Sequence, residues 1–267
     1  MNIINSHFGI TQMPFTHNDK ELLAHQKEIL QALRAHSFQR GFCLVAGDPG
    51  TGKSVLTDAF ADNNPKQVTP QISRTMHTYS NTLRILCEAL QIEYQGGDLK
   101  CEEQVIQEAF RLNQIGKAIA LIIDDAHLLE LGHLRKLRLL FEEMPGNYAI
   151  ILFAQTEILG KIALTVNADL RSRISYSTII NKLTPEDIET FILNECERCG
   201  LAHNRIDTPA LKLIANSSEG ILRHAANLTL SSLIQAVRTQ QTAVKTAHVN
   251  TALMQPHWRD SDHWITQ

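Results

Sequence analysis

The chain has 267 residues, 43% of them apolar, and a formal charge of −3. That is ample for a core in one large domain or two unequal ones, and it excludes a globally basic nucleic-acid binder, so any grip on a phosphate backbone must come from a local patch or from assembly. The longest apolar runs, such as Ile119-Ala120-Leu121-Ile122-Ile123, are strand-sized and too short for a membrane span. Residues 1–7 carry no basic-then-apolar leader pattern, and the expectation is a soluble, cytoplasmic protein.

Asn18-Asp19-Lys20-Glu21 has the spacing of a capping box, and Leu22, Leu23, Ile29, Leu30 and Leu33 continue a helical stripe to about residue 36. The apolar run Phe42-Cys43-Leu44-Val45-Ala46 then leads directly into Gly47-Asp48-Pro49-Gly50-Thr51-Gly52-Lys53-Ser54. This is G-x-x-x-x-G-K-S, a phosphate-binding loop, in the context that such a loop requires. A strand delivers it, and a helix over 52–61 leaves it with Val55, Leu56, Ala59 and Phe60 on the buried face. The glycines let backbone N–H groups close around a phosphate where a side chain would collide. Lys53 brings a positive charge to the β and γ phosphates, and the Ser54 hydroxyl is a ligand for Mg²⁺. The chemistry that follows is binding of ATP or GTP.

A strand is expected near 67–73, helices near 79–91 and 102–115, and a strand over 118–124. A helix over 128–143, a strand over 148–154, a short helix around 156–165 and a strand over 174–180 complete the alternation. It predicts a parallel sheet covered by helices on both faces. From residue 184 the pattern is helical only, near 185–198, 209–217, 221–238 and 246–254. Thr184-Pro185 and Thr208-Pro209 each place a capping hydroxyl before a first-turn proline. The predicted organisation is an α/β nucleotide-binding domain over 1–183, in which 1–40 forms an N-terminal segment and helix, a helical lid over 184–254, and a polar tail over 255–267 that carries Trp258 and Trp264.

Asp124-Asp125 closes the apolar run 118–123. An acid at the carboxyl end of a buried strand beside a phosphate loop suits Mg²⁺ coordination, directly or through water, and Asp124 takes that part. Asp125 beside it suits orienting and deprotonating an attacking water; the alternative is that both carboxylates cap the next helix.

At this point the chain resembles a known family, the AAA+ ATPases of the ExeA-like group, related to origin-recognition and transposition ATPases. The likeness runs from about residue 8 to about 240. Phe8-Gly9-Ile10-Thr11 with Pro14-Phe15 is similar to the group's N-terminal "FGL…PF" segment. Gly47–Ser54 matches Walker A, and Leu121-Ile122-Ile123-Asp124-Asp125-Ala126-His127 matches Walker B. Ile151-Leu152-Phe153-Ala154-Gln155 resembles the sensor 1 strand, Leu170-Arg171-Ser172-Arg173-Ile174 an L-x-x-R-I stretch, and Gly220-Ile221-Leu222-Arg223 with Asn227-Leu228 the "GxxR…NL" lid helix.

The resemblance implies ATP with Mg²⁺ as cofactors and hydrolysis to ADP and phosphate; no N-K-x-D motif for guanine is present. It casts Gln155 as the amide that meets the γ-phosphate and Arg223 as sensor 2. Arg173, or else Arg171, becomes an arginine finger for the neighbouring subunit. It also implies a homo-oligomeric ring or filament that associates with duplex DNA and recruits or regulates a transposase. The alternatives are a secretion-system assembly ATPase, whose usual membrane helix and wall-binding region are not found here, and a nucleotide-gated scaffold with little turnover. A full replication initiator would add a winged helix. One departure is that the group usually has Asp-Glu where this chain has Asp124-Asp125, and the shorter acid predicts slow hydrolysis.

Three further features bear on partners. His133-Leu134-Arg135-Lys136-Leu137-Arg138 puts three cations on a helix whose buried face is leucine. They read either as a phosphate-gripping patch repeated by assembly or as a solvated face balanced by Glu142-Glu143. Cys196-Glu197-Arg198-Cys199 is a single C-x-x-C at the end of a helix, expected to hold buried thiols and no zinc. The 12 histidines show no metal-ligand spacing.

Overall fold

The computed structural model describes residues 3–16, 22–62, 64–72, 78–94 and 96–258. The expected capping box at Asn18–Glu21, Ser73 and Trp264 lie outside them. In chain order the elements begin with α1 (Ile3–Phe8), α2 (Ala24–His36), β1 (Gly41–Gly47), α3 (Lys53–Ala61), β2 (Gln67–Val68) and β3 (Gln71–Ile72). Next come α4 (Tyr79–Ala89), α5 (Asp98–Gln114), β4 (Ala118–Ile123), α6 (Leu131–Glu142), β5 (Tyr148–Ala154), α7 (Glu157–Ala163), α8 (Ala168–Arg171) and β6 (Ile174–Ile180). Helices α9 (Pro185–Cys199), α10 (Thr208–Ser217), α11 (Leu222–Arg238) and α12 (Thr246–Leu253) follow. The chain divides into two compact units, Glu21–Pro49 with Lys53–Ile180, and Met1–Lys20 with Gly50–Gly52 and Asn181–Gln267.

The first unit is a parallel sheet in the order β2-β4-β5-β1-β6, with β3 also paired to β4. Both faces are buried, and the strand period of two sorts side chains between them. Phe42, Leu44, Ile119, Leu121, Ile123, Ile150 and Leu152 join the core that includes α4, α5 and α6 residues. Their alternates Cys43, Val45, Ala120, Ile122, Ala149, Ile151 and Phe153 join the core with Leu33, Leu56 and Phe60 of α2 and α3. Fold class and the predicted helices on both faces are therefore as expected.

Local differences have local causes. The expected strand at 67–73 is two short pieces, because Pro70 between them has no N–H to give the ladder; its carbonyl instead accepts from Ile122 N–H at 2.8 Å. The helix expected from 128 starts at Leu131, since Asp125 turns left-handed at φ 50° and a 3₁₀ turn over Ala126–Leu128 intervenes. Cys87 of α4 and Cys101 of α5 are joined by a disulfide, a pairing that cysteine spacing does not signal.

The second unit is helical. Its core joins Ile188, Ile192, Ile214, Leu228 and Leu233 with Ile4, Phe8 and Ile10 from the chain's start. Thr11 N–H donates to Cys199 O at 3.3 Å, Arg198 donates to Gln12 Oε1 at 2.9 Å, and the Phe15 ring lies 5.5 Å from that of Phe191. The start of the chain was expected with the sheet domain. It groups with the helices because α9 to α11 carry an apolar face that α1 and the following segment cover. Thr184 caps α9 as expected, its hydroxyl accepting from Asp187 N–H at 3.2 Å. Thr208 does not cap α10; it is the first helical residue, behind Asp207. Within the segment expected as a polar tail, Pro256–Trp258 form a 3₁₀ turn and Trp258 packs against this helical core.

Cys196 and Cys199 are buried in the same core. Burial pushes the Cys196 thiol up to about 12 and raises Cys199 as well. No helix among the described residues is long and apolar enough to cross a membrane.

Candidate nucleotide site

Strand register gathers the predicted residues. Ala46 of β1 pairs with Ala154 of β5, and Ile123 of β4 pairs with Leu152 of β5. All these strands are parallel, so the loop after Gly47, the acids after Ile123 and Gln155 after Ala154 leave the sheet at one edge. That edge, beyond the carboxyl ends of the strands, is where α/β sheets bind ligands.

The loop itself has the conformation that its glycines predict. Gly50 and Gly52 take φ of 85° and 97°, in the left-handed region that a side chain resists. Gly50 is also crowded, since a Cβ there would lie 2.7 Å from Arg223 Cβ. Arg223 N–H donates to Gly50 O at 3.2 Å within the helical unit, and its side chain is exposed. Lys53 opens α3 and is 8% exposed; its ammonium donates to Gly47 O at 2.8 Å and Asp48 O at 2.9 Å. Pro49 lies between these carbonyls and Gly50, and Thr51 is buried.

Ser54, Thr57, Asp58, Gln71 and Asp124 line one pocket of about 160 Å³. The Asp124 carboxylate is half-buried and accepts from Asp125 N–H at 2.9 Å. Burial holds its pKa above the usual range, Asp125 and Asp58 add to that, and the Asp125 N–H and Lys53 oppose it. A hydroxyl and a carboxylate sharing one small pocket are suitable ligands for a hard divalent cation, which would relieve that raised carboxyl. Asp125 is exposed, and aspartate is among the few residues that tolerate its left-handed φ.

Gln155 is half-buried at the end of β5, and its backbone N–H donates to His127 Nδ1 at 3.3 Å. The two candidate fingers differ in what holds them. The Arg173 guanidinium is 3.2 Å from Glu142 Oε1 in an ion pair, with half its side chain exposed. Arg171, exposed, donates to Ala163 O at 2.8 Å. Of the two readings of the cationic run on α6, its contacts favour a face balanced within the chain. Arg135 pairs with Asp169 at 3.0 Å and donates to Asn167 Oδ1 at 2.6 Å. Arg138 lies 3.7 Å from Glu142, and Lys136 sits over the Tyr79 ring at 5.3 Å. These intramolecular partners use much of the charge that a nucleic acid would need.

The profile of the AAA domain family matches residues 22–162. The chain belongs to that family. A comparison with curated protein sequences gives no match. Among solved structures, the AAA chain is similar to Cdc6p from Pyrobaculum aerophilum (TM-score 0.72, 16% identity, covering 93% of this chain and 70% of that one). It is also similar to the Aeropyrum pernix ORC2 protein in ADPNP–ADP complexes (0.71, 13%, 94% and 72%). The Aeropyrum pernix ORC1 protein in complex with DNA is a third likeness (0.66, 17%, 87% and 65%). At such identities the likeness bears on the fold.

Sequence reading missed what holds this AAA site together. His127 is 4% exposed and links the turn after β4 to the end of β5, and Lys161 donates to His127 O at 2.8 Å. The D-D-A-H run was noticed, but a contact between the ends of two strands leaves no period along either one.

Proposed function

We propose that this AAA chain binds and hydrolyses Mg-ATP and acts as an oligomeric switch associated with duplex DNA. The observation that carries the proposal is the meeting, at one edge of the sheet unit, of the loop start after β1, the buried Lys53 ammonium bonded to Gly47 and Asp48, and the pocket that holds Ser54 with Asp124. These residues fit the nucleotide and its cation: N–H groups and the Lys53 ammonium for phosphates, Ser54 and Asp124 for Mg²⁺. ATP, when bound, supplies the phosphoanhydride that water cleaves to ADP and phosphate.

Asp125 takes the proton from that water as its oxygen bonds to the γ-phosphorus. Gln155 orients the water and donates to a γ-phosphate oxygen. Arg223 answers the phosphate charge within the subunit. Arg173 or Arg171 answers it from a neighbouring subunit, after leaving its present acceptor. The likeness to proteins described in nucleotide and DNA complexes supports a DNA-associated role. The ExeA-like subgroup rests on the resemblance carried by Phe8-Gly9-Ile10-Thr11 with Pro14-Phe15 and by the ordered motifs from Gly47 to Leu228, and a transposase partner rests on that subgroup.

Calorimetric titration with Mg-ATP, and phosphate release with and without duplex DNA, test the proposal. Salt-sensitive DNA binding with ATP is expected, and Lys53→Ala is expected to abolish nucleotide uptake. Wild type that takes up no adenine nucleotide would sink the reading. A second reading, a nucleotide-gated scaffold, is favoured by the short exposed Asp125; tight binding without phosphate release would select it.

A further inference from the structure

The polar chain that begins at Gln155 does not stop at His127. Lys161, on α7, donates its ammonium to His127 O at 2.8 Å, and its own carbonyl accepts from Asn167 Nδ2 at 2.7 Å. Asn167 is 4% exposed, and its Oδ1 accepts from Arg135 at 2.6 Å. Arg135 closes the chain on Asp169 at 3.0 Å, in the first turn of α8. Arg171 is the last residue of α8, and Arg173 lies two residues beyond it. Side-chain and main-chain hydrogen bonds thus link the backbone N–H of Gln155, the residue whose side-chain amide is expected at the γ-phosphate, through His127, Lys161, Asn167 and Arg135 to the turn bearing the two candidate fingers.

We propose that His127 is a positioning residue for Gln155, and that with Lys161, Asn167 and Arg135 it forms a relay linking the nucleotide edge to the α8 turn. This rests on the ATPase reading above, and it adds which residues set the geometry. His127 acts through its ring acceptor: Nδ1 takes the Gln155 N–H, so the neutral ring carries its proton on Nε2. His127 lies three residues beyond Asp124. That single contact therefore ties the carboxylate turn to the main chain from which the Gln155 side-chain amide projects, and a small misplacement there is costly to turnover. The other end reaches the arginines through backbone that Asn167 and Asp169 hold in place. A shift of Gln155 on phosphate contact has a bonded route to α8, and each link is short enough to transmit it.

The test uses the full chain with Mg-ATP and compares wild type with His127→Leu, His127→Asn, Lys161→Met and His127→Leu/Lys161→Met. Nucleotide affinity, kcat and amide hydrogen exchange around Gln155 and over 165–173 are measured. His127→Leu is expected to lower kcat about tenfold with affinity within about twofold. His127→Asn, whose amide oxygen can replace Nδ1 as acceptor, is expected to recover most of the loss. Lys161→Met, at an exposed position, is expected to lower kcat about threefold and speed exchange over 165–173. The double variant should cost little more than His127→Leu alone, since the two act through one path.

Multiplicative losses in the double variant would overturn the relay. So would an asparagine no better than leucine, or losses that track affinity. Unchanged exchange at Gln155 in His127→Leu would overturn it too, and that readout needs no turnover. If His127→Leu fails to fold, Lys161→Met and His127→Asn still decide the matter through exchange and kcat. Failure of the ATPase reading would appear instead in wild type, as absent nucleotide uptake.

Discussion

The sheet unit and the helical unit build their cores in different ways. In the sheet unit, neighbouring residues along β1, β4 and β5 alternate between two buried faces, so each strand announces both layers that cover it. In the helical unit, residues of α9 to α12 meet Ile4, Phe8 and Ile10 from the other end of the chain. A core of the first kind can be read from a few consecutive residues. The second depends on contacts that no window of sequence contains.

The largest effect expected from that contrast is at Phe8, which is 8% exposed in the helical core. Phe8→Ala should destabilise the protein by about 3–5 kcal/mol, the usual cost of deleting a buried aromatic ring. Chemical denaturation followed by probes in each unit checks it. A loss under about 1 kcal/mol would mean that the N-terminal segment only rests on the helices.

Two glycines sharpen the comparison inside the helical unit. Gly200 and Gly220 have similar φ, 79° and 74°. A Cβ on Gly200 would meet nothing within 4 Å, whereas one on Gly220 would lie 2.4 Å from Leu183 O, the partner carbonyl of a tight crossing. Gly220 O in turn accepts from Leu183 N–H at 3.0 Å. Gly200→Ala should cost about 1 kcal/mol, for the left-handed backbone alone. Gly220→Ala should cost about 2 kcal/mol more, because backbone must move. Equal losses in denaturation would show that φ, and not the close approach, demands the second glycine.

What was legible follows the same division. The strand expected at 148–154 has those bounds, a strand lies where one was expected near 174–180, and the phosphate loop announced itself through Gly50, Gly52 and Lys53. Asp124 and Gln155 were legible as strand ends. The left-handed turn at Asp125 was not, and it displaced the expected helix start to Leu131. Nor was the bond from Gln155 to His127, which needs the register of β4 against β5. Of the two readings of the α6 cations, the balancing by Glu142 was legible and holds for Arg138, whereas the partners of Arg135, Asp169 and Asn167, arrive from a later segment and were not.

A smaller effect is expected at Asp125, where local backbone and chemistry pull apart. The left-handed φ of 50° favours aspartate, while a longer carboxylate would reach further toward a water beside the phosphate. Asp125→Glu should raise phosphate release about three- to tenfold and cost up to about 1 kcal/mol of stability. Unchanged or slower release would show that reach is not what limits turnover.

The smallest expected effect is a pH dependence confined to the helical unit. His248 of α12 is 7% exposed; its Nδ1 accepts from Lys245 N–H at 3.0 Å, and its Nε2 faces Thr239 Oγ1 at 3.0 Å. Burial lowers its pKa, the Lys245 charge lowers it further, and Asp207 partly opposes them. A proton on Nδ1 would meet the Lys245 N–H instead of accepting it. The depressed value means that His248 stabilises the fold at neutral pH. That contribution fades as pH falls below the ordinary histidine range and through the folded-state value, with a slope of at most about 1.4 kcal/mol per pH unit. His248→Asn keeps an acceptor for Lys245 and removes the titration, so between pH 7 and pH 5 its stability should fall less steeply than that of wild type. Parallel denaturation curves for the two proteins across that window would mean that the imidazole titrates alike in the folded and unfolded chains.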